Sequence, residues 1–399
     1  MTNSINRDEM QRNCPSINLP SCTMSDGLPE IIPAFDCLSA LTAQREELLC
    51  AMARVLDSGS LILGAEVSAF EQEFARFVGA DHAIGTSSGT DALIVALRAL
   101  GVGPGDEVIT VANGPVPTVA AIRAVGALPR FVDIDANTLQ IDPEKIAAAI
   151  NIRTRCVLPI HLYGWPAPLE KIAQLCRAHG LALVEDCAQA HGTRIGDEHA
   201  GLRGDVGCFS FYPTKNLGAV GDAGLCITRD AGLAANIRDQ TCYGFRGDRI
   251  AHREGLNCRL DELQAACLRV RLKELKAALE SRRRIAARYR QGLEGTGLRL
   301  LPQPAHGCSA WHQFVVCVAQ RDAWIQWFDQ QRIHVSVHYA TPVHRMPAYD
   351  WLGYNQGSLP VTEQACREVI SLPIYPALVE QQVDRVIAAV HAGVTAGLN

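Results

Sequence analysis

The chain has 399 residues, 48% of them hydrophobic and 20% charged, with a formal net charge of -5. That length suits one large and one smaller domain at roughly 100–200 residues each, with the composition of an ordinary globular enzyme. A mildly acidic chain whose longest basic run is Arg282-Arg283-Arg284 offers no electrostatic footprint for nucleic acid or an anionic membrane, and no apolar stretch approaches the ~18 residues of a membrane span.

Residues 1–28 are polar and lack the apolar core of a secretory signal; they read as a disordered tail. The 15 cysteines run from Cys14 to Cys366 without a C-x-x-C. An odd count and unpaired spacing point to free thiols in a reducing cytoplasm, not to a disulfide framework or a metal site.

Residues 39–57 carry apolar side chains at helical spacing, and Ala65–Val78 repeats the pattern around Phe70, Phe74 and Phe77. Short apolar runs then alternate with helical segments. Strands are expected at His82–Gly85, Glu107–Val111, Leu128–Val132, Cys156–Ile160, Leu181–Glu185, Gly207–Phe211 and Gly224–Thr228. Helices are expected at Asp91–Leu100, Pro117–Val125, Pro143–Ile150 and Pro168–Ala178. Such alternation predicts an α/β fold: a largely parallel sheet covered by helices on both faces. Ligands bind at the carboxyl ends of the strands in such sheets.

Residues 261–292 contain no Gly or Pro before Gly292 and read as one long helix or two joined ones. Beyond it, a strand at His312–Ala319, a helix at Ala323–Gln331, a strand at His334–Tyr339 and a closing helix at Glu380–Val390 sketch a small α+β domain. The expected division is a large domain over 29–260, then the linking helix and small domain over 261–399.

Three features on the sheet carry chemistry. Thr86-Ser87-Ser88-Gly89-Thr90-Asp91 joins a strand to a helix start. Free N–H groups there favour a phosphate, although Ser and Thr also serve as plain helix caps. Ala182-Leu-Val-Glu185-Asp186 ends an apolar strand on two carboxylates; an Asp at that place can hold a pyridine nitrogen in its charged form, or merely cap a helix. Cys208-Phe-Ser210-Phe-Tyr-Pro-Thr-Lys215 sets Ser210 on one strand face and then a loop lysine, whose amine can form a Schiff base with a carbonyl cofactor or be an ordinary solvated charge. Together they supply an anion site, a pyridinium partner and an amine, the set a pyridoxal 5'-phosphate site requires. No P-loop, H-E-x-x-H or dinucleotide fingerprint occurs, and no metal constellation stands out.

The runs Ser88-Gly-Thr-Asp-Ala-Leu, Gly103-Pro-Gly-Asp-Glu-Val-Ile-Thr, His161-Leu-Tyr-Gly, Glu185-Asp-Cys-Ala-Gln-Ala-His-Gly, Phe209-Ser-Phe-Tyr-Pro-Thr-Lys-Asn-Leu-Gly and Gly255-Leu-Asn-Cys-Arg-Leu-Asp-Glu-Leu-Gln-Ala-Ala resemble the DegT/DnrJ/EryC1/StrS family. These are nucleotide-sugar aminotransferases of the aspartate-aminotransferase fold, pyridoxal-phosphate fold type I. The resemblance implies that Lys215 carries the cofactor, that Asp186 pairs with its pyridine nitrogen and that Gln189 lies near its phenolic oxygen. Ser88, Gly89, Thr90 and Ser210 would hold the phosphate. Asn257 would reach the phosphate of a neighbouring subunit, so that a homodimer shares its sites. His338 and His344 resemble a family loop near the sugar, or are packing histidines, and Arg259 is structural or meets a substrate carboxylate. Pro115, in Ala112-Asn113-Gly114-Pro115-Val116, stands where many members have an aromatic that stacks on the cofactor.

The implied reaction moves an amino group from L-glutamate to a nucleotide-linked keto-sugar. The motif spellings lean toward a dTDP-3-keto-6-deoxyhexose, with 4-keto or UDP-linked sugars open. A dehydrating relative lacks the lysine, and a non-catalytic regulatory relative would be expected to lose Lys215 or Asp186. Both residues are present.

Overall fold

The computed structural model describes residues 30–398, and the expected tail over 1–28 lies outside the described residues. Two helices, α1 (Leu38–Ala43) and α2 (Arg45–Ser58), occupy the pattern at 39–57, followed by α3 (Ala65–Val78). Then come β1 (His82–Thr86), α4 (Gly89–Ala99), β2 (Glu107–Val111), α5 (Val116–Ala124), β3 (Leu128–Val132), α6 (Pro143–Ala149), β4 (Thr154–Val157), α7 (Leu169–His179) and β5 (Ala182–Asp186). A small hairpin, β6 (Arg194–Ile195) and β7 (Glu198–His199), precedes β8 (Val206–Ser210), β9 (Gly224–Thr228) and α8 (Ala231–Thr241).

The large sheet has 7 strands in the order β1-β9-β8-β5-β4-β2-β3. It is parallel except at β9, which runs antiparallel to both β1 and β8. Successive side chains on a strand point to opposite faces, and here neighbours enter opposite cores. Ala83, Ile109, Leu183, Phe209 and Ile227 join the cluster around Phe70 and Phe74. Ile84, Val108, Val184, Cys208 and Cys226 join the cluster around Leu93 and Ala96. Both faces are thus buried, which is why these strands read as unbroken apolar runs. The carboxyl ends of β1, β2, β5 and β8 lie on one side of the sheet.

The 261–292 segment is a single helix, α9 (Glu262–Gly292). After it, β10 (Arg299–Leu300), β11 (Phe314–Cys317), α10 (Arg321–Gln330), α11 (Pro360–Glu368), β12 (Val369–Leu372) and α12 (Glu380–Thr395) complete the chain. The second sheet is β10-β11-β12, antiparallel throughout. The expected strand at His334–Tyr339 does not form. Only Ile333 and Ser336 make isolated bridges there, to Ile32 and to Ser371 of β12, because His338 and Tyr339 are drawn to Tyr163 and Gln189 instead. Val316, Phe328 and Val386 of the C-terminal part share one apolar cluster with Phe70 and Phe209 of the large sheet. Among the described residues no helix is long and apolar enough to cross a membrane, and 13 cysteines are free.

Candidate active site

At the end of β1, Ser88 caps α4, its hydroxyl accepting from Asp91 N at 3.1 Å. Gly89 and Thr90 follow in the first turn. A Cβ on Gly89 would lie 2.5 Å from that of Ser210, so glycine is what lets the helix start close onto the end of β8. Gly224 stands between Thr86 and Ser210 in the sheet register, and a side chain there would strike the Ser88 carbonyl. The resulting concavity carries the free N–H groups of a helix N-terminus with a hydroxyl beside them, an arrangement that suits a phosphate.

The two carboxylates ending β5 point to opposite faces and have different work. Glu185 is fully buried, accepting from His161 Nε2 at 2.9 Å and from the amides of Gly201, Arg203 and Gly204 at 2.6–2.8 Å. Burial works to raise its pKa, but the His161 bond and these amides outweigh it and hold the carboxyl below its ordinary range. Ligand atoms of His161, Glu185 and Cys187 lie within 4.8 Å of one another. His161 Nδ1 already accepts from Ala167 N, so the group is a satisfied hydrogen-bond cluster, not an open cation site.

Asp186 faces the other way. Its Oδ2 accepts from Thr118 Oγ1 at 2.7 Å and its Oδ1 from Ala188 N at 3.0 Å. Thr118 arrives on α5, whose entry is set by Pro115 at its cap and Pro117 in its first turn. A side chain on Gly114 would overlap Ile160, which bridges to Asp186. The Gly114-Pro115 departure thus lies in the turn that delivers Thr118.

Lys215 sits in a loop closed by its amide donating to Tyr212 O at 2.8 Å. Burial pulls its amine from the ordinary lysine range to about 8, against the opposing pull of Asp186. Burial, and then the Lys215 charge, push His191 and His312 well below the usual imidazole range and His338 to about 4. All three rings are therefore neutral beside the lysine. Asn216 donates to Ala310 O and meets His312 Nδ1 at 3.3 Å with its oxygen.

Gln189 ties the opposite wall together. Its oxygen accepts from Tyr163 N at 2.6 Å and its nitrogen donates to Tyr339 Oη at 3.2 Å. Tyr163 Oη donates to His338 O at 2.7 Å, and His338 Nδ1 meets Ser371 Oγ at 2.9 Å.

Of the sequence-predicted residues, Ser88, Gly89, Thr90, Asp186, Gln189, Ser210, Lys215 and His338 line or border this one region. His344 does not join them: its ring is buried against Phe131 and Tyr354, with Nε2 on Glu363 at 3.2 Å. Arg259 bridges to Thr86 at the end of β1, with its buried Nε unpartnered. Asn257 pairs with Cys242 through backbone and is exposed. Sequence reasoning missed Thr118, Tyr163, His312 and Asn216, whose partners are remote along the chain. Tyr163 and Asn216 lie inside quoted motif runs and Tyr339 directly follows His338, so these three were within reach of the sequence.

The sequence profile of the DegT/DnrJ/EryC1/StrS aminotransferase family matches residues 42–391. The chain is 44% identical to dTDP-3-amino-3,4,6-trideoxy-alpha-D-glucose transaminase of Streptomyces venezuelae, over 90% of this chain and 95% of that protein. It is 40% identical to UDP-N-acetyl-3-dehydro-alpha-D-glucosamine 3-aminotransferase of Acidithiobacillus ferrooxidans, over 90% of this chain and 97% of that one. The crystal structure of S. venezuelae DesV in complex with a ketimine intermediate superposes with a TM-score of 0.90 at 43% identity, covering 92% of this chain and 99% of DesV. The chain therefore belongs to the DegT/DnrJ/EryC1/StrS aminotransferase family.

Proposed function

We propose that this protein is a pyridoxal 5'-phosphate-dependent aminotransferase that moves the amino group of L-glutamate onto C3 of a nucleotide-linked 3-keto-sugar, with a dTDP-3-keto-6-deoxyhexose as the preferred acceptor. The observation that carries this reading is the Lys215 amine, lowered to about 8 by burial and felt by the buried Asp186 carboxylate, together with the Gly89 helix start that closes onto Ser210. The DegT relatives from Streptomyces and Acidithiobacillus are named for different nucleotides but both for carbon 3, which supports the carbon more firmly than the nucleotide.

The residues fit the cofactor. The Gly89–Ser210 approach leaves a cradle that a Cβ would fill, and the Ser88 cap leaves amides of the first turn for a phosphate. Ser88, Gly89, Thr90 and Ser210 would hold that phosphate, Asp186 the pyridine nitrogen and Gln189 the ring oxygen, with Lys215 as the attachment point. When bound, pyridoxal phosphate supplies the carbonyl that takes the amino group and an electron sink for the adjacent carbon.

The chain's own residues do the rest. Lys215, poised near neutrality, can take a proton from the donor's α-carbon and return one. Thr118 and the Ala188 amide fix the Asp186 carboxylate so that its charge is aimed before substrate arrives. The neutral His191, His312 and His338 add no positive charge against which Lys215 would have to bind its proton.

The same reading makes the protein a homodimer with shared sites, in which Asn257 reaches the neighbouring phosphate. Its support is the exposure of Asn257 and the apolar side chains left open at Phe35, Leu38, Leu56, Leu61 and Leu63. A regulatory relative without chemistry has no use for Lys215 and Asp186 in this arrangement.

The test is turnover of the protein loaded with pyridoxal phosphate, using L-glutamate and a panel of dTDP- and UDP-linked 3- and 4-keto-sugars. We expect 2-oxoglutarate and a 3-amino sugar nucleotide, and no turnover with Lys215→Ala. Absence of 2-oxoglutarate with every acceptor, or full turnover by the Lys215 variant, rejects the reading.

A further inference from the structure

A cavity of about 300 Å³ opens on the Lys215 loop and continues between α1 and α9 to Tyr375 and Pro376. Two guanidinium groups of α9 line it, Arg271 and Arg282. Arg282 spreads its charge over the carbonyls of Trp311, His312 and Ile374. Arg271 is half-buried and makes no hydrogen bond or ion pair among the described residues. Burial pulls its pKa below the usual range, and the groups that offset this are the thiols of Cys37 and Cys267, not a carboxylate. Of the two acids on the lining, Asp36 is engaged by Ser39, and Glu274 is exposed.

A guanidinium taken out of water without a counter-ion is costly. Its cost is relieved when a ligand brings the anion, and the planar fork matches a carboxylate with two parallel bonds. We infer that Arg271 binds a carboxylate of the dicarboxylic amino donor in this cavity, placing the donor's amino group toward Lys215 on the same lining. The volume favours that occupant: it lies at the floor of the roughly 300–1,000 Å³ range of ligand pockets, the size of an amino acid and not of a nucleotide-linked sugar. This inference rests on the aminotransferase reading above and adds the donor's anchor to it.

The experiment uses full-length protein loaded with pyridoxal phosphate, wild type beside Arg271→Gln and Arg271→Lys. Glutarate, a dicarboxylate without an amino group, is titrated by calorimetry. The two half-reactions are followed separately by absorbance, one with L-glutamate and one with the amino-sugar nucleotide. The expected result is glutarate binding at least tenfold weaker in Arg271→Gln, as for loss of a hydrogen-bonded charge pair, with Arg271→Lys in between. The glutamate concentration for half-saturation rises in parallel, while the sugar half-reaction stays at the wild-type value. Glutarate binding equal in wild type and Arg271→Gln overturns the inference, as does equal weakening of both half-reactions. If wild type performs neither half-reaction, the aminotransferase reading itself falls. If wild type performs both and Arg271→Gln matches it, only the role of Arg271 falls.

Discussion

Asp186 is buried, and its orientation depends on a hydroxyl that lies far away in sequence, Thr118 on α5. Thr118 is a positioning residue, and replacing it by the near-isosteric Val removes one hydrogen bond to a charged group. Such a bond contributes about 1.5–3 kcal/mol. Thr118→Val is expected to weaken pyridoxal phosphate binding by roughly 10-fold or more, and Thr118→Ser to restore it. Equal cofactor affinity across the three proteins, measured by equilibrium absorbance titration, removes Thr118 from the site. Lys215 gives a second prediction. Its amine is lowered from 10.5 to about 8 in the folded protein, so the cofactor-free protein should be acylated at Lys215 half-maximally near pH 8. The sign for stability follows: between about 8 and 10.5 the unfolded chain binds more protons, so this lysine makes stability rise with pH across that window. Labelling at Lys215 that begins only above pH 10 contradicts the buried environment. The motif residues at these positions were legible from the chain because each follows directly on a strand end. Thr118 and His312 were not, since only the fold brings Thr118 to Asp186 and His312 to the Lys215 loop.

Among the elements, the block Asn257-Cys-Arg-Leu-Asp-Glu-Leu-Gln serves the scaffold at two points. Glu262, at the first turn of α9, is buried and accepts from Gly64, Glu66 and Val67 amides at 2.8–2.9 Å. These are orphan donors at the start of α3, whose cap position is a glycine without a side chain to satisfy them. Gln264 clasps Val220, in the glycine-rich loop after Lys215, through both amide atoms. Glu262→Ala should therefore cost about 2 kcal/mol or more, read as a lower urea midpoint with an unchanged slope. A midpoint equal to wild type means that water or backbone adjustment replaces the cap. The strands of the large sheet were readable because burial on both faces makes each an apolar run between turn residues. The third strand of the small sheet was not. Val369–Leu372 follows α11 without a turn signal, while His334–Tyr339, which has the better strand pattern, is diverted. His338 and Tyr339 are held by Tyr163 and Gln189 instead, a tertiary demand that local propensity does not express.

At the scale of the whole molecule, exposed large apolar side chains concentrate in the first helices and the loop before α3: Phe35, Leu38, Leu49, Leu56, Leu61, Ile62 and Leu63. None of the residues of α1 is buried. A monomer gains nothing by exposing such a cluster, whereas an isologous dimer covers it twice. The sequence points to the proposed dimer through Asn257 alone, because surface exposure is a property of the folded chain and leaves no local pattern. Shared sites have a consequence that a dimer with separate sites lacks. In a Lys215→Ala subunit paired with an Asn257→Ala subunit, one site receives both defects and the other receives neither. Neither variant alone should turn over at the wild-type rate, and random reassociation of equal amounts should return about a quarter of wild-type activity, since half the dimers are hybrids with one intact site. The measurement is turnover after mild unfolding and refolding of the mixture, compared with each variant treated alone. Activity equal to the mean of the two variants means that each chain builds its site by itself, in which case Asn257 has no role across the interface and the exposed apolar face needs a different partner.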